Sequence, residues 1–453
     1  MLQKQKEYIV DIVDIGQGGV GIGKYDGFTV FVEGGLIQDK IKVKINKSKK
    51  NYAVGDIVEI IDASPFRVER ACSDSLKDCG GCQIQELEYK NQLDIKTNEV
   101  KQVITRIGKL DNVLIHDTMG MDTPLRYRNK AQFPIQRMNN APAIGFYKKK
   151  SHDVIPMDKC IIQHEVNDKI VKIIKTYINA YDVSIYDEKS HTGVLRHLVT
   201  KIGFTTNEVM VVLVAKNNKL PHLDELASVL RENVPGFKTL VININKERTN
   251  VILGKENIVV VGEGKINDYI GDLVFEISPL SFFQVNPIQT EVLYNKALEY
   301  ADLKENNTVF DIYCGIGTIS LFLAQKASKV YGIEIVEDAI KDAKINAKLN
   351  NLDNVEFYVG KAEEVVPRMY KEGKTANVVV VDPPRKGCDE KVLDTIISMK
   401  PDRVVYVSCN PSTLARDLNY LDERGYKCTE IQPVDMFPHT MHVECVAKLV
   451  KKD

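Results

Sequence analysis

Four consecutive valines, Val378 to Val381, run straight into Asp382-Pro383-Pro384-Arg385. A β-branched run with no polar alternation fits a strand buried on both faces, as in a parallel sheet covered by helices. The two prolines then force the chain out of the strand and hold Asp382 at the sheet's edge. The same alternation governs the whole last third. Helical patterns at 288–303, 319–326 and 337–350 are interleaved with strand patterns at 308–312, 330–333, 355–359, 377–381 and 404–407. That order specifies an α/β fold on a parallel sheet, whose ligands bind at the strand ends.

Asp311-Ile312-Tyr313-Cys314-Gly315-Ile316-Gly317-Thr318 is a glycine-rich turn between a strand and a helix, and Glu334 closes the next strand. Glycines there admit a nucleoside closely, and the carboxylate suits a ribose diol. Position 320 is Ser, so the full G-x-G-x-x-G is missing. This favours a ligand without a pyrophosphate, such as S-adenosylmethionine, over NAD. Gly16 to Gly21 does fit G-x-G-x-x-G, but a strand follows where a helix is required. Those glycines read as turns and bends of a small β-barrel.

Two further stretches carry chemistry. Cys409 follows the strand at 404–407, with Asn410 as helix N-cap and Pro411 as first helical residue. A helix N-terminus lowers a thiol's pKa, so a nucleophilic thiolate is expected there. In the alternating segment 437–449, His442, Glu444 and Lys448 share one face, opposite Val443, Cys445, Ala447 and Leu449. A carboxylate in such a strand reads as a general base. Thiolate, methyl donor and base are what methylation of uracil C5 requires, since C5 becomes nucleophilic only after a thiolate adds to C6.

The 453 residues predict two or three domains. We read an OB-like barrel at 1–63, a mixed α+β region at 64–270 and a Rossmann-like domain at 271–453. The net charge of −1 excludes an all-over basic binder, so RNA contact needs local patches. Lys40, Lys42, Lys44, Lys47, Lys49 and Lys50 form one; 125–130 and 147–150, where aromatic and basic residues interleave, form two more. Apolar runs are too short for a signal peptide or a membrane span, which predicts a cytoplasmic protein. Nine cysteines there point to metal or catalysis rather than disulfides. Cys72, Cys79 and Cys82 lie within eleven residues, and Cys160 is the only further cysteine before residue 314. The spacing fits a four-thiolate zinc site and an iron–sulfur cluster equally.

Four motifs together resemble the SAM-dependent RNA uracil-C5 methyltransferases. They are Asp311-x-Tyr-Cys-Gly-x-Gly-Thr318, Asp382-Pro-Pro-Arg-x-Gly387, Ser408-Cys-Asn-Pro-x-Thr-x-Ala-Arg-Asp417 and Phe437-Pro-x-Thr-x-His-x-Glu444. Ser281-Phe-Phe-Gln284-Val-Asn-Pro287 matches that family's first SAM-contacting segment. The resemblance implies Cys409 as nucleophile and Glu444 as the base removing the C5 proton. It implies Gln284, Tyr313, Glu334 and Asp382 at the SAM site, and a [4Fe–4S] cluster on Cys72, Cys79, Cys82 and Cys160. It implies a TRAM domain for the barrel, and together with the cluster it points to the 23S ribosomal RNA branch. The tRNA branch, usually lacking both, is the alternative. RNA cytosine-C5 methyltransferases typically carry a cysteine directly after Asp-Pro-Pro, where Arg385 stands here. A non-catalytic RNA-binding iron–sulfur protein is the remaining reading.

Overall fold

The computed structural model describes residues 2–73 and 76–452; Asp74 and Ser75, within the Cys72–Cys79 loop, lie outside the described residues. The N-terminal strands Glu7–Gly16, Val20–Tyr25, Phe28–Glu33, Lys40–Ser48 and Tyr52–Asp62 close into a barrel. Ile41, Val43 and Ile45 point into its core with Val10, Val30 and Val32, so the alternating lysines of the same strand face out. One of them, Lys42, is paired with Glu59 at 2.8 Å. The glycine-rich stretch after Gly16 makes a single short turn and then the strand Val20–Tyr25, which patterning alone had not resolved.

A seven-stranded sheet follows, in the order Glu256–Val261, Phe237–Ile244, Val209–Ala215, Leu195–Ile202, Lys130–Met138, Ala141–Tyr147, Val154–Pro156. The helices Val166–Ala180 and Leu223–Asn233 cover one of its faces through Ile170, Ile174, Leu226 and Leu230. The opposite face supplies Val199, Met210, Val212 and Val241 to a core shared with the hairpin Ile266–Ile270/Leu273–Ile277 and the helix Pro287–Ala301. Central and C-terminal regions are therefore built on one continuous apolar interior.

The C-terminal sheet has eight strands, in the order Val355–Val359, Lys329–Glu334, Thr308–Ile312, Val378–Val381, Arg403–Ser408, Glu444–Lys451, Tyr426–Val434, Leu114–Ile115. The first five run parallel, and Val378–Val381 is buried on both faces. This is the Rossmann-like methyltransferase fold expected from the sequence. Helix Tyr89–Arg106, far earlier in the chain, packs Val100 and Ile104 onto this sheet's outer layer beside Leu414 and Leu418 of Pro411–Asp422.

Candidate active site

The strand order reverses at Thr308–Ile312, with Lys329–Glu334 on one side and Val378–Val381 on the other. Loops leaving such a pair diverge and open a crevice. On one wall, the Tyr313 and Cys314 amides both donate to the Ile333 carbonyl, at 2.9 and 3.0 Å. The bend this forces puts Tyr313 at φ +72° and Gly315 at +56°. A Cβ at Gly315 would meet nothing within 4 Å, so glycine serves the backbone conformation and leaves open space beside it. Glu334 braces the turn, its carboxylate accepting from the Gly315 amide at 3.2 Å and the Val336 amide at 2.9 Å.

On the other wall, the Asp382 amide donates to Ile312 O at 3.2 Å. Burial pushes the Asp382 carboxyl up to about 7. The fully buried Asp311, present in the glycine-turn motif but given no role from sequence, lies behind it. Its Oδ2 accepts from Ser320 Oγ at 2.5 Å, while its Oδ1 has no partner among the described residues. Burial, with Asp382 and Glu334 nearby, raises Asp311 to about 7 as well. Gln284 precedes the N-cap Asn286 of the helix Pro287–Ala301. The central sheet holds that segment: Asn129 donates to Gln284 O at 2.9 Å, and the buried Lys201 ammonium to Ser278 O and Ser281 O at 2.7 and 2.8 Å.

Cys409 and Glu444 meet across paired strands. Ser408 lies opposite Cys445 as the last pair between Arg403–Ser408 and Glu444–Lys451, so Cys409 and Glu444 adjoin one another at the strand ends, and the Glu444 charge acts on the Cys409 thiol. Glu444 is only 5% exposed. Burial, reinforced by Asp382 and partly offset by Arg385, pushes it up to about 8. Asn410 caps the helix as expected, accepting from Ser412 N at 3.1 Å. The expected thiolate is nevertheless not the resting state. Burial, then the Glu444 and Asp382 charges, push the Cys409 thiol up to about 11, partly offset by Arg385.

The remaining motif residues clamp the two loops together. Asn410 Nδ2 and Thr413 Oγ1 donate to Arg385 O at 3.0 and 3.2 Å, and Arg416 to Lys386 O at 3.0 Å. The buried Asp417 carboxylate accepts from the Cys388 amide at 2.8 Å and the Tyr406 hydroxyl at 2.5 Å. Gly387 has no room for a side chain: a Cβ would stand 2.4 Å from Arg416 Nη2 and 2.6 Å from Asp417 Oδ2. Arg385, Asp417 and Asp311 are thus the site residues without an assigned role in the sequence reading, although each stands inside a motif.

Away from this crevice, Cys72, Cys79, Cys82 and Cys160 all line one cavity of about 270 Å³, with Arg70, Arg128 and Lys130. Burial pushes the Cys160 thiol up to about 11, and the Cys79 and Cys82 thiols up too. No three His, Cys, Asp or Glu side chains among the described residues converge closely enough to hold a single ion. In two of the basic clusters, several side chains have partners within the chain. Tyr127 is buried, and Arg126 is tied to Cys160 O at 2.6 Å and to Asp168 at 3.2 Å. Lys148 and Lys149 pair with Asp78 and Glu33, at 3.0 and 3.1 Å, joining the central sheet to the cysteine loop and the barrel.

A switch-point crevice with a glycine turn and a carboxylate closing the next strand, without the G-x-G-x-x-G fingerprint at that turn, is suited to a nucleoside ligand that lacks a pyrophosphate. Comparison with known proteins narrows that class. Residues 88–452 match the tRNA (uracil-5-)-methyltransferase family model, and residues 2–58 the TRAM domain model. The chain belongs to that family and is a SAM-dependent RNA methyltransferase. A protein of Clostridium tetani described as an uncharacterized RNA methyltransferase is 52% identical over 445 residues, covering 98% of this chain and 96% of its own. Another, from Caldanaerobacter subterraneus, is 50% identical over 442 residues, covering 98% and 97%. Among solved structures, the Pyrococcus abyssi tRNA (uracil-54, C5)-methyltransferase in complex with S-adenosyl-L-homocysteine superposes with a TM-score of 0.79. It shares 29% identity, over 98% of this chain and 100% of its own. No helix among the described residues is long and apolar enough to cross a membrane.

Proposed function

We propose that the protein methylates C5 of a uridine in 23S ribosomal RNA, in the cytoplasm, with Cys409 as nucleophile and Glu444 as base. The observation that carries this reading is the neighbouring of a thiol just past one strand end and a buried carboxylate at the start of the adjacent strand, beside the crevice. Cys409 Sγ bonds to C6 of a uracil turned out of its stack, moving the electron pair of C5=C6 onto C5. C5 takes the methyl group that the SAM sulfonium supplies. Glu444 takes the C5 proton, the C5–H electron pair re-forms C5=C6, and the C6–S bond breaks with its electron pair on sulfur, returning the Cys409 thiolate.

The electrostatics suit a cationic donor. Three acids share the site, and burial raises all three, so that near pH 7 Cys409 is protonated, Glu444 mostly so and Asp382 about half so. A positive sulfonium among them favours the ionised form of each, so thiolate and base arise together with the donor in place. In this reading Gln284, Tyr313, Glu334 and Asp382 hold SAM, and Asp311 Oδ1 is a further acceptor behind them.

The cysteine quartet suits a [4Fe–4S] cluster better than zinc. The four thiols line one cavity of about 270 Å³. The Gly81 amide donates to Cys79 Sγ at 3.4 Å, and Arg70, Arg128 and Lys130 offset a dianionic centre. Cys72, Cys79, Cys82 and Cys160 would hold the cluster, which here supplies fold and charge rather than a step of the reaction. The domains then divide the work: 1–63 binds RNA, 64–270 carries the cysteine centre and 271–453 transfers the methyl group.

A tRNA substrate is the second reading, favoured by the likeness of the archaeal tRNA enzyme over its full length. Labelled-methyl transfer to unmodified 23S rRNA and unmodified tRNA, side by side, separates the two. 5-Methyluridine in 23S rRNA alone supports the first; label in tRNA overturns it. Cys409→Ala should abolish both methylation and trapping on 5-fluorouridine RNA.

A further inference from the structure

The cysteine quartet and the catalytic strand are joined by contacts that the reaction itself does not require. Directly after Cys82, the Gln83 and Ile84 amides both donate to His439 O, at 2.9 and 3.1 Å. On the Cys160 side, the Arg126 and Arg128 amides donate to Ile161 O and Ile162 O at 2.7 and 3.0 Å, and the Arg126 guanidinium to Cys160 O. Between those two arginines, the buried Tyr127 hydroxyl donates to Pro438 O at 3.1 Å. Both arms of the quartet therefore end on adjacent carbonyls of one turn.

That turn is conformationally demanding. His439 sits at φ +68°, in the left-handed region unfavourable to a side chain. Such a residue keeps its conformation only where its surroundings over-determine it. Here Gln92 Oε1 accepts from the His439 amide at 2.9 Å, and the imidazole lies 3.1 Å from Pro124 O. Met441 packs with Ile84, Leu87 and Ile95 just beyond. Five residues past His439 the chain enters the strand at Glu444.

We propose that the cysteine quartet is a clasp on the Pro438–His439 turn, through Gln83, Ile84 and Tyr127, and that the clasp positions Glu444 for proton removal. This rests on the assignment of Glu444 as base. Tyr127 is a positioning residue, acting through the turn. Opening the clasp slows release of the methylated RNA from Cys409, while attack on C6, governed by the Arg403–Ser408 strand end, continues.

The test compares wild type, Tyr127→Phe and Glu444→Gln on uridine-containing RNA. Formation and decay of the covalent adduct are followed separately, and amide hydrogen exchange is measured on wild type with its metal centre intact and after chelation. A displacement of about 1 Å costs a reacting pair about 10²-fold. Tyr127→Phe is therefore expected to slow adduct decay by about tenfold or more, with adduct formation within about twofold. Chelation should speed exchange at Gln83, Ile84 and His439. If Glu444→Gln accumulates adduct but Tyr127→Phe does not, the clasp is refuted and the base assignment stands. If Glu444→Gln accumulates none, both fall. Unchanged exchange after chelation overturns the coupling even if Tyr127→Phe fails to fold.

Discussion

The charge state of Cys409 yields a sharp prediction. Its thiol is pushed up to about 11, first by burial and then by the Glu444 and Asp382 charges. At pH 8 about one molecule in a thousand carries the thiolate, so alkylation should run about 100-fold slower than for a thiol at 9. Removing Glu444's charge in Glu444→Gln should relieve this, but only where Glu444 is ionised. Glu444 itself titrates near 8, so at pH 7 only about 9% of it is charged. In general, a unit charge about 6–8 Å from a thiolate is worth about 2–3 kcal/mol at an effective dielectric of about 20. The cleft's water cuts that to about tenfold in thiolate population.

The variant should thus alkylate about tenfold faster than wild type at pH 9–10, with the ratio falling towards one below pH 7. Iodoacetamide labelling followed on the Cys409 peptide by mass spectrometry reads it directly. A wild-type thiol titrating near 8.5, or a variant ratio independent of pH, would refute the shared-charge account of the site.

Other perturbations follow from the same contacts. Lys96→Met should cost about 3–5 kcal/mol in urea unfolding, because it strands the Asp435 carboxylate that Lys96 meets at 2.5 Å with both side chains fully buried; Asp435→Leu on top should recover part of the loss. Gly387→Ala, at φ +81° and crowded by Arg416 and Asp417, should lower stability by about 1–3 kcal/mol and depress methyl transfer with it. Asp417→Asn keeps the shape but weakens the bonds to Tyr406 and the Cys388 amide. A loss of about 1–3 kcal/mol is expected, read as a shift in the denaturation midpoint.

The parallel strands and helices of the last third were legible because each carries its own periodicity and caps, such as the valine run and Asn410-Pro411. The strands Lys130–Met138 and Ala141–Tyr147 were not: their flanking Arg126, Lys148 and Lys149 fit a solvated face and an RNA-facing surface equally. Only three-dimensional pairing shows those cations spent on Cys160 O, Asp168, Asp78 and Glu33. The short strand Leu114–Ile115 was invisible because its partner lies more than 300 residues on, at Glu430 and Ile431. The four cysteines could be grouped from spacing, but the cavity they line could not. The Cys409 thiol shows the limit of local rules: the helix terminus is encoded nearby, whereas the burial and the Glu444 and Asp382 charges that raise the thiol come from distant parts of the chain.

The register of Arg403–Ser408 against Glu444–Lys451 also bears on how the enzyme comes into being. During synthesis Glu444–Lys451 emerges after both strands it must slip between, Arg403–Ser408 and Tyr426–Val434. A nascent chain halted before it could present a thiol with no means of releasing RNA once captured. Yet until the late strand inserts, the edge of Arg403–Ser408 has no partner and the turn bearing Cys409 lacks its neighbour. With the roles proposed above for Cys409 and Glu444, capture and release would then be completed together, when the Glu444–Lys451 strand pairs.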